Sequence, residues 1–340
     1  MLTLKGERNH YNVKFLKGYG HSIYVKNSKI VLKSNHDTFS EPETEEWFVK
    51  NMPYEKIVLQ GKGYVSTEAL SLLSQNNRNV ILLDNHGKPV TFMNGMMDSL
   101  TATKYRMAQY DTFRNPEKRE YLQKQIILMK QQSQLKLLKM IGSDVDSLPE
   151  KEHLASKVYF KEFAKFIPGK YGFQSRNQSF IRTSKNNATD IINALLNYGY
   201  SVLAGEISKF VCGFGLDPYF GFMHKTHTGF QPLVYDIIEP FRWLVDCSVF
   251  SIANHKDSRR QIKLKEYSNT RNGNVVMEYA LIKRFLEMLE RQFRCERKYE
   301  FKHGKKTVEG LKSVQEITIV KIFIQDLIDF CGCKNNLSSF

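Results

Sequence analysis

Apolar and polar residues alternate through "HSIYVKNSKIVLKS" (residues 21–34) on both sides of Asn27-Ser28, which predicts two strands joined by a tight hairpin turn. The runs "EKIVLQG" (55–61) and "NVILLDNHG" (79–87) are short and apolar, the pattern of buried strands. Between them "STEALSLLSQN" predicts one short helix, with Ser66 as its N-cap, Glu68 in its first turn and Leu70, Leu72 and Leu73 as its buried stripe. "HGKPVTFM" then turns back into a further strand. From Thr101 onward the spacing becomes helical. "TATKYRMAQYDTF" and "PEKREYLQKQIILMKQQSQLKLLKMIG", the latter starting at Pro116, set Leu122, Ile126, Leu128, Leu135 and Leu138 among many Lys and Gln. More helices are predicted in "EKEHLASKVYFKEFAKFI", "ATDIINALLNYGYSVLAGEISKFVCGFG", "DIIEPFRWLVDCSVFSIAN" and "VVMEYALIKRFLEMLERQFR". The predicted fold is α+β and multi-domain: a small N-terminal β-rich domain over residues 1–98, then a larger, mostly α-helical domain over 99–340. Residues 168–187, "PGKYGFQSRNQSFIRTSKNN", form a polar, basic loop carrying aromatics.

Charge narrows the partners. The 340 residues hold 50 Lys+Arg against 35 Asp+Glu, a formal +15 that favours a polyanion over an acidic small molecule. Nucleic acid is the first candidate and a membrane surface the second. No stretch approaches the roughly 20 apolar residues of a membrane span, and "MLTLKGERNHYN" lacks the apolar core of a secretion signal. A cytoplasmic location is expected. Five scattered cysteines indicate neither a disulfide framework nor a zinc ribbon. The one close pair, Cys331-Gly332-Cys333, is a weak metal signal and reads more readily as apolar filler at a helix end.

Motif absences remove whole chemistries. There is no G-x-x-x-x-G-K-[ST], no strand-borne G-x-G-x-x-G, no G-x-S-x-G and no H-E-x-x-H, which speaks against nucleotide cofactors and serine hydrolase chemistry. What remains is "GFGLDPYFGFMH" (213–224), followed twelve positions after its His by "DIIEPF" (236–241). His224 by itself reads as a satisfied, partly buried histidine. Asp236 and Glu239 are three apart and would share a helix face, where two carboxylates repel unless a cation or a shared proton relieves them. Pro240 starts or kinks the helix there. Helix-dipole preference explains Asp236 on its own, and Glu239 beside His224 less well. A mixed Asp/Glu/His set suits Mg²⁺ or Mn²⁺, and such an ion in a basic protein points to phosphodiester chemistry. His227 is an optional further ligand that reads better as a solvated or DNA-facing loop residue.

The segment "NALLNYGYSVLAGEISKFVCGFGLDPYFGFMH" (193–224) followed by "DIIEPFRWLVD" (236–246) closely resembles the signature of the CRISPR-associated integrase/endonuclease of spacer acquisition. Asn193–Tyr200, Gly215–Pro218, Gly221–His224 and Asp236–Arg242 occur in that family's order and approximate spacing. The N-terminal hairpin and the helical remainder also fit its small β domain and helical domain.

The resemblance implies a metal held by Glu152, His224 and Glu239, with Asp236 as a supporting carboxylate. Glu152 is identified by its position seven residues before Tyr159-Phe160, and Glu150 is the neighbouring alternative. Implied too are a dimerisation role for residues 1–98 and metal-dependent transesterification in 99–340, inserting new spacers into a CRISPR array, with nuclease activity on branched DNA. The expected partners are double-stranded and branched DNA (CRISPR repeat and prespacer), a second copy of the chain and the small dimeric Cas adaptation protein. Lys225, Arg242 and the basic helix over 117–139 are candidate DNA contacts. The competing readings are an architectural nucleic-acid-binding protein whose acidic cluster is structural, and a metal-dependent nuclease of mobile elements.

Overall fold

The computed structural model describes residues 13–34, 42–54, 56–76, 78–84, 89–93, 99–176, 188, 190–225, 230–270, 275–299, 302–303, 306–307 and 312–332. The chain divides into two compact units, Met1–Asp111 with Ser208–Pro218, and Thr112–Ile207 with Tyr219–Phe340.

The first unit is built on a six-stranded sheet with strand order β3-β2-β1-β4-β5-β6. β1 (Val13–Lys26) and β2 (Lys29–Ser34) pair antiparallel across the hairpin read from the alternation. Its turn residues Asn27 and Ser28 have φ of 50° and 59°, so both adopt the left-handed conformation of a two-residue turn whose twist matches the flanking strands. β3 (Glu43–Trp47) extends the hairpin, and β4 (Lys56–Val65) joins the other edge of β1 in parallel.

Helix α1 (Thr67–Gln75) crosses from β4 to the parallel β5 (Asn79–Leu83), and β6 (Pro89–Met93) closes the sheet antiparallel. The Ser66 hydroxyl accepts the Ala69 amide hydrogen at 3.1 Å, capping α1 as its sequence predicts. The buried spine of α1 is Ala69 and Leu73, while Leu70 and Leu72 pack only partly against it. Ile57 and Leu59 face the α1 side with Leu16, Ile23, Ile30 and Leu32, whereas Val58, Ile81 and Leu83 cluster separately with Phe15. A strand buried on both faces needs an unbroken apolar run, which is why "KIVL" does not alternate. Lys209 is buried in this unit with its ammonium 4.2 Å from the Phe15 ring centroid.

Helix α2 (Ser99–Arg114) precedes α3 (Pro116–Met140), and Asn115 caps the start of α3 by accepting from Lys118 N at 3.0 Å. The helical unit continues with α4 (Glu152–Lys165), α5 (Ile191–Gly213), α6 (Pro232–Ile238), α7 (Arg242–Ala253), α8 (Tyr279–Arg294) and α9 (Glu316–Gly332). One sequence reading changes on α3. Leu128 is exposed, and the buried line runs Leu122, Ile126, Lys130, Gln134, Leu138 at intervals of four, so two polar residues occupy the apolar stripe. A second concerns residues 236–254, which do not form one helix. Pro240 removes a donor, and Glu239–Phe241 form a 3₁₀ turn between α6 and α7. α7 is buried nearly all round, and α3 and α8 pack against it.

Candidate active site

The glycine-rich loop is held by backbone geometry first. α5 ends with Gly215 at φ +83°, and the Leu216 amide hydrogen bonds back to Val211 O at 3.1 Å, the glycine-capped helix end that leaves no carbonyl stranded. α2 then fixes the turn within the first unit. Arg106 Nε donates to Gly215 O (3.0 Å), Gln109 Nε2 donates to Asp217 O (2.9 Å), and the Tyr110 hydroxyl donates to Asp217 Oδ2 (2.7 Å). Asp217 is thus a structural acid.

In the helical unit the loop returns beneath α6. Gln123 Nε2 of α3 donates to Phe222 O at 2.6 Å, and the Phe222 ring packs edge-on against Phe113. Asp236 is fully buried. Its carboxylate accepts the amide hydrogens of Phe222 (2.7 Å), Met223 (3.0 Å) and His224 (2.9 Å), and lies 2.6 Å from His224 Nδ1. Asp236 and Glu239, three apart at the end of α6, therefore do not share one cation, and each carboxylate has its own partners. Because a carboxylate only accepts, Nδ1 carries the hydrogen, and in the neutral ring Nε2 keeps its lone pair for a ligand. The rings of Phe230 and Tyr235 flank the imidazole, whose side chain is one-third exposed.

Glu239 is buried, and two cations divide its oxygens. Arg242 donates to Oε1 through Nε (2.9 Å) and Nη2 (2.7 Å), while Lys130 Nζ lies 2.8 Å from Oε2 without the alignment of a hydrogen bond. Burial pushes the Glu239 carboxyl up, but Arg242 and Lys130 outweigh it and hold the group below the usual carboxylate range. The same Lys130 Nζ donates to Glu152 Oε1 at 2.7 Å. Glu152, at the first turn of α4, is 43% exposed through its side chain, so this end of the site opens to solvent. Glu150 contributes a backbone carbonyl to Gln131 Nε2 and lies just outside α4.

Behind Arg242 a buried network continues. Its guanidinium stacks 4.6 Å from the Tyr200 ring centroid, and the hydroxyls of Tyr159 and Tyr200 both donate to Asp246, at 2.7 and 2.5 Å. Burial raises the Asp246 carboxyl against the pull of the two hydroxyls. Tyr159 shares α4 with Glu152, so Asp246 ties that helix to α5 and α7.

Two of the three expected ligands thus meet on one cation, and the third is aimed by a carboxylate. Among the described residues no three His, Cys, Asp or Glu side chains stand close enough to hold a metal as they are placed. The donor chemistry nevertheless fits a hard divalent ion: an ammonium already lies between two carboxylates, and the buried Glu239 Oε2 has no aligned donor. Arg242, a candidate DNA contact, is paired with Glu239, and Lys225 is exposed next to His224. His227 and Cys333 lie outside the described residues. Burial pushes the Cys331 thiol up to about 11, the opposite of a thiolate ligand. Lys130 is not singled out by the sequence; its interval of four from Ile126 is shared with other polar residues of this basic helix, and only the structure shows it buried.

The β-sheet unit and the mostly helical unit match the fold of known proteins. A family model described as CRISPR associated protein Cas1 matches residues 15–151 and 140–291. The chain is 30% identical over 278 residues to the CRISPR-associated protein Cas1 3 of Methanobrevibacter ruminantium, covering 71% of this chain and 78% of that one. It is 29% identical over 285 residues to the CRISPR-associated endonuclease Cas1 1 of Archaeoglobus fulgidus, covering 72% and 78%. A casposase bound to integration product superposes with a TM-score of 0.65 at 26% identity, over 96% of this chain and 92% of that one. A Cas1 protein of Thermotoga maritima shares the fold, with a TM-score of 0.64 at 18% identity over 96% and 99%. The class is that of the CRISPR-associated DNA-processing proteins. The chain belongs to the Cas1 family, the endonuclease/integrase of spacer acquisition.

Proposed function

We propose that this chain joins DNA by divalent-metal-dependent transesterification, using Mg²⁺ or Mn²⁺ held by Glu152, Glu239 and Nε2 of His224. The observation that carries the reading is that Glu152 and Glu239, far apart in sequence, converge on one cation. A divalent ion there supplies neutralisation of the scissile phosphate, activation of a hydroxyl or water, and stabilisation of the leaving oxygen. Asp236 orients His224 and keeps Nε2 free of the proton, and Arg242 fixes the rotamer of Glu239. In the reaction a 3′-hydroxyl oxygen of the incoming fragment forms a bond to a phosphorus at the leader-repeat junction. The bond from that phosphorus to its own 3′-oxygen breaks, and the attacking hydroxyl's proton ends on the leaving oxygen. The number of phosphodiesters is conserved, so no nucleotide triphosphate is required, in keeping with the missing P-loop. With water as nucleophile the same site cleaves branched DNA.

The net charge of +15 suits a long duplex substrate, and exposed Lys225 beside His224 is placed for a phosphate. The casposase relative was captured bound to an integration product, which supports strand transfer. Structural neighbours include a Cas6-RT-Cas1–Cas2 complex and a Cas1-DNA complex, which support Cas2 and DNA as partners. We assign the active assembly as homodimers bridged by the small dimeric Cas partner, working in the cytoplasm where the array lies. No described helix is long and apolar enough to cross a membrane. The test is joining of labelled DNA into a supercoiled array plasmid, with and without Cas2, in Mn²⁺ or EDTA. Product should require Mn²⁺ and disappear in Glu239→Ala. Full joining by that variant, or by the wild type in EDTA, overturns the reading.

A further inference from the structure

We propose that Lys130 is the resident counter-ion of this site: its ammonium bridges Glu152 and Glu239 in the metal-free protein, and a divalent ion enters by exchange for it. The inference rests on the metal-dependent reading above.

Lys130 projects from the middle of α3 on the helix's buried line, and only 8% of the residue is exposed. A buried ammonium persists only where carboxylates compensate its desolvation, and here Glu152 Oε1 at 2.7 Å and Glu239 Oε2 at 2.8 Å do so. The converse also holds. Without the ammonium, two carboxylates from different segments would face each other across a few ångströms with only Arg242 to offset them. Lys130 therefore keeps the pair assembled when no metal is bound.

Charge decides what happens on loading. Glu152 and Glu239 carry two negative charges, and Lys130 and Arg242 two positive ones, so the cluster is neutral as it stands. A divalent ion added to it would leave a double positive charge in a largely buried space, with the ammonium repelled at contact distance. One cation must leave, and the geometry selects Lys130. Arg242 is held by two aligned hydrogen bonds to Oε1 and by the Tyr200 ring. Lys130 meets Oε2 without such alignment, and its other partner, Glu152, is at the solvent-exposed end. Its flexible four-carbon stem lets the ammonium swing toward solvent while the helix stays in place.

Two measurements on DNA-free protein test this. Calorimetric titration with Mn²⁺ should show Lys130→Met binding the ion on the order of tenfold tighter or more, because a competing unit charge is gone. Lys130→Arg should not gain affinity. The metal-free Lys130→Met protein should melt lower than wild type and recover more on adding Mn²⁺. Wild-type or weaker Mn²⁺ affinity in Lys130→Met overturns the proposal, since a lysine that merely supports the fold lowers the melting temperature without raising affinity. Amine-acylation footprinting of the wild-type chain avoids any folding defect of the variant. Lys130 should be protected in EDTA and labelled at least severalfold faster in saturating Mn²⁺; equal labelling sinks the exchange. The two readings fail separately. Absence of any Mn²⁺ binding sensitive to Glu239→Ala removes the metal site and the exchange with it. Such binding with Lys130 unaffected removes the exchange alone.

Discussion

Asp236 Oδ1 lies 2.6 Å from His224 Nδ1, and the same carboxylate gathers the amide hydrogens of Phe222, Met223 and His224. One buried acid therefore sets the shape of the loop and the tautomer of the ring that ends it. In Asp236→Asn one acceptor oxygen becomes an NH₂ that meets donors. Joining should fall about 10–100-fold, the usual cost of losing a partner that orients a metal-ligating histidine. Binding of duplex DNA, measured by gel shift at fixed salt, should stay within about twofold, since the phosphate-contacting surface is untouched. A variant that joins at the wild-type rate would contradict the orienting role.

Gly221 makes that arrangement possible. A Cβ built there would stand 2.5 Å from Asp236 Oδ2, 2.8 Å from Pro232 Cβ and 2.9 Å from the Pro232 carbonyl carbon. Neither neighbour gives way easily, one being fully buried and multiply bonded and the other a ring at the start of α6. Gly221→Ala should push the carboxylate off the loop amides and reproduce the Asp236→Asn defect in joining. It should also destabilise the protein by roughly 1–3 kcal/mol, as overpacking of a filled site does. The readouts are the joining rate and thermal denaturation, and an active Gly221→Ala protein would rule out the close approach as essential.

Much of this architecture was legible in the chain because local rules and tertiary context agree. The Asn27-Ser28 hairpin, the Ser66 cap and the Pro116 helix start each rest on a few neighbouring residues. His224 and Glu239 stand out as candidates through their spacing from glycine, proline and each other. Lys130 does not, because a lysine among Gln and Lys on a basic helix reads as solvated surface, and only acids on another segment turn it inward. Asp236 and Glu239 misled for a related reason. Three-residue spacing makes the two carboxylates neighbours but does not choose their partners: Asp236 turns to the loop amides and His224, and Glu239 to Arg242 and Lys130. The pairing of Arg242 with the Glu239 carboxylate is likewise not announced by the sequence.

Asp246 carries the next expectation. It accepts hydrogen bonds from Tyr159 of α4 and Tyr200 of α5 inside the core. Tyr159→Phe and Tyr200→Phe should each cost about 1–3 kcal/mol, the penalty of leaving a buried acceptor short of a donor. Because both hydroxyls serve one carboxylate, the double variant should depart from additivity by at least about 0.5 kcal/mol. Tyr159→Phe should weaken Mn²⁺ binding more than Tyr200→Phe, since Tyr159 anchors the helix that carries Glu152. Denaturant melts and Mn²⁺ titrations of the three variants decide it, and strict additivity with equal metal affinities would argue that Asp246 does not link the helices.

In the same helical unit, Glu266 and Arg284 form a pair whose pH dependence has a definite sign. Arg284 donates through Nη1 to Oε1 (2.8 Å) and through Nη2 to Oε2 (2.7 Å), and the Lys263 amide adds a third hydrogen bond. Arg284 is the main reason the Glu266 carboxyl titrates below its ordinary value, against an opposing push from burial. A carboxyl depressed in the folded state binds protons more weakly there than in the unfolded chain. Its contribution is therefore complete above the ordinary glutamate range and is lost as pH falls through the depressed folded value. Glu266→Gln lacks this ionisation, so its melting temperature should lie below wild type at neutral pH and approach it as the buffer is acidified below that range. The comparison is a series of thermal melts from neutral to acidic pH at constant ionic strength. A difference that persists unchanged into acid would mean the pair adds shape to the loop before α8 but no charge-dependent stability.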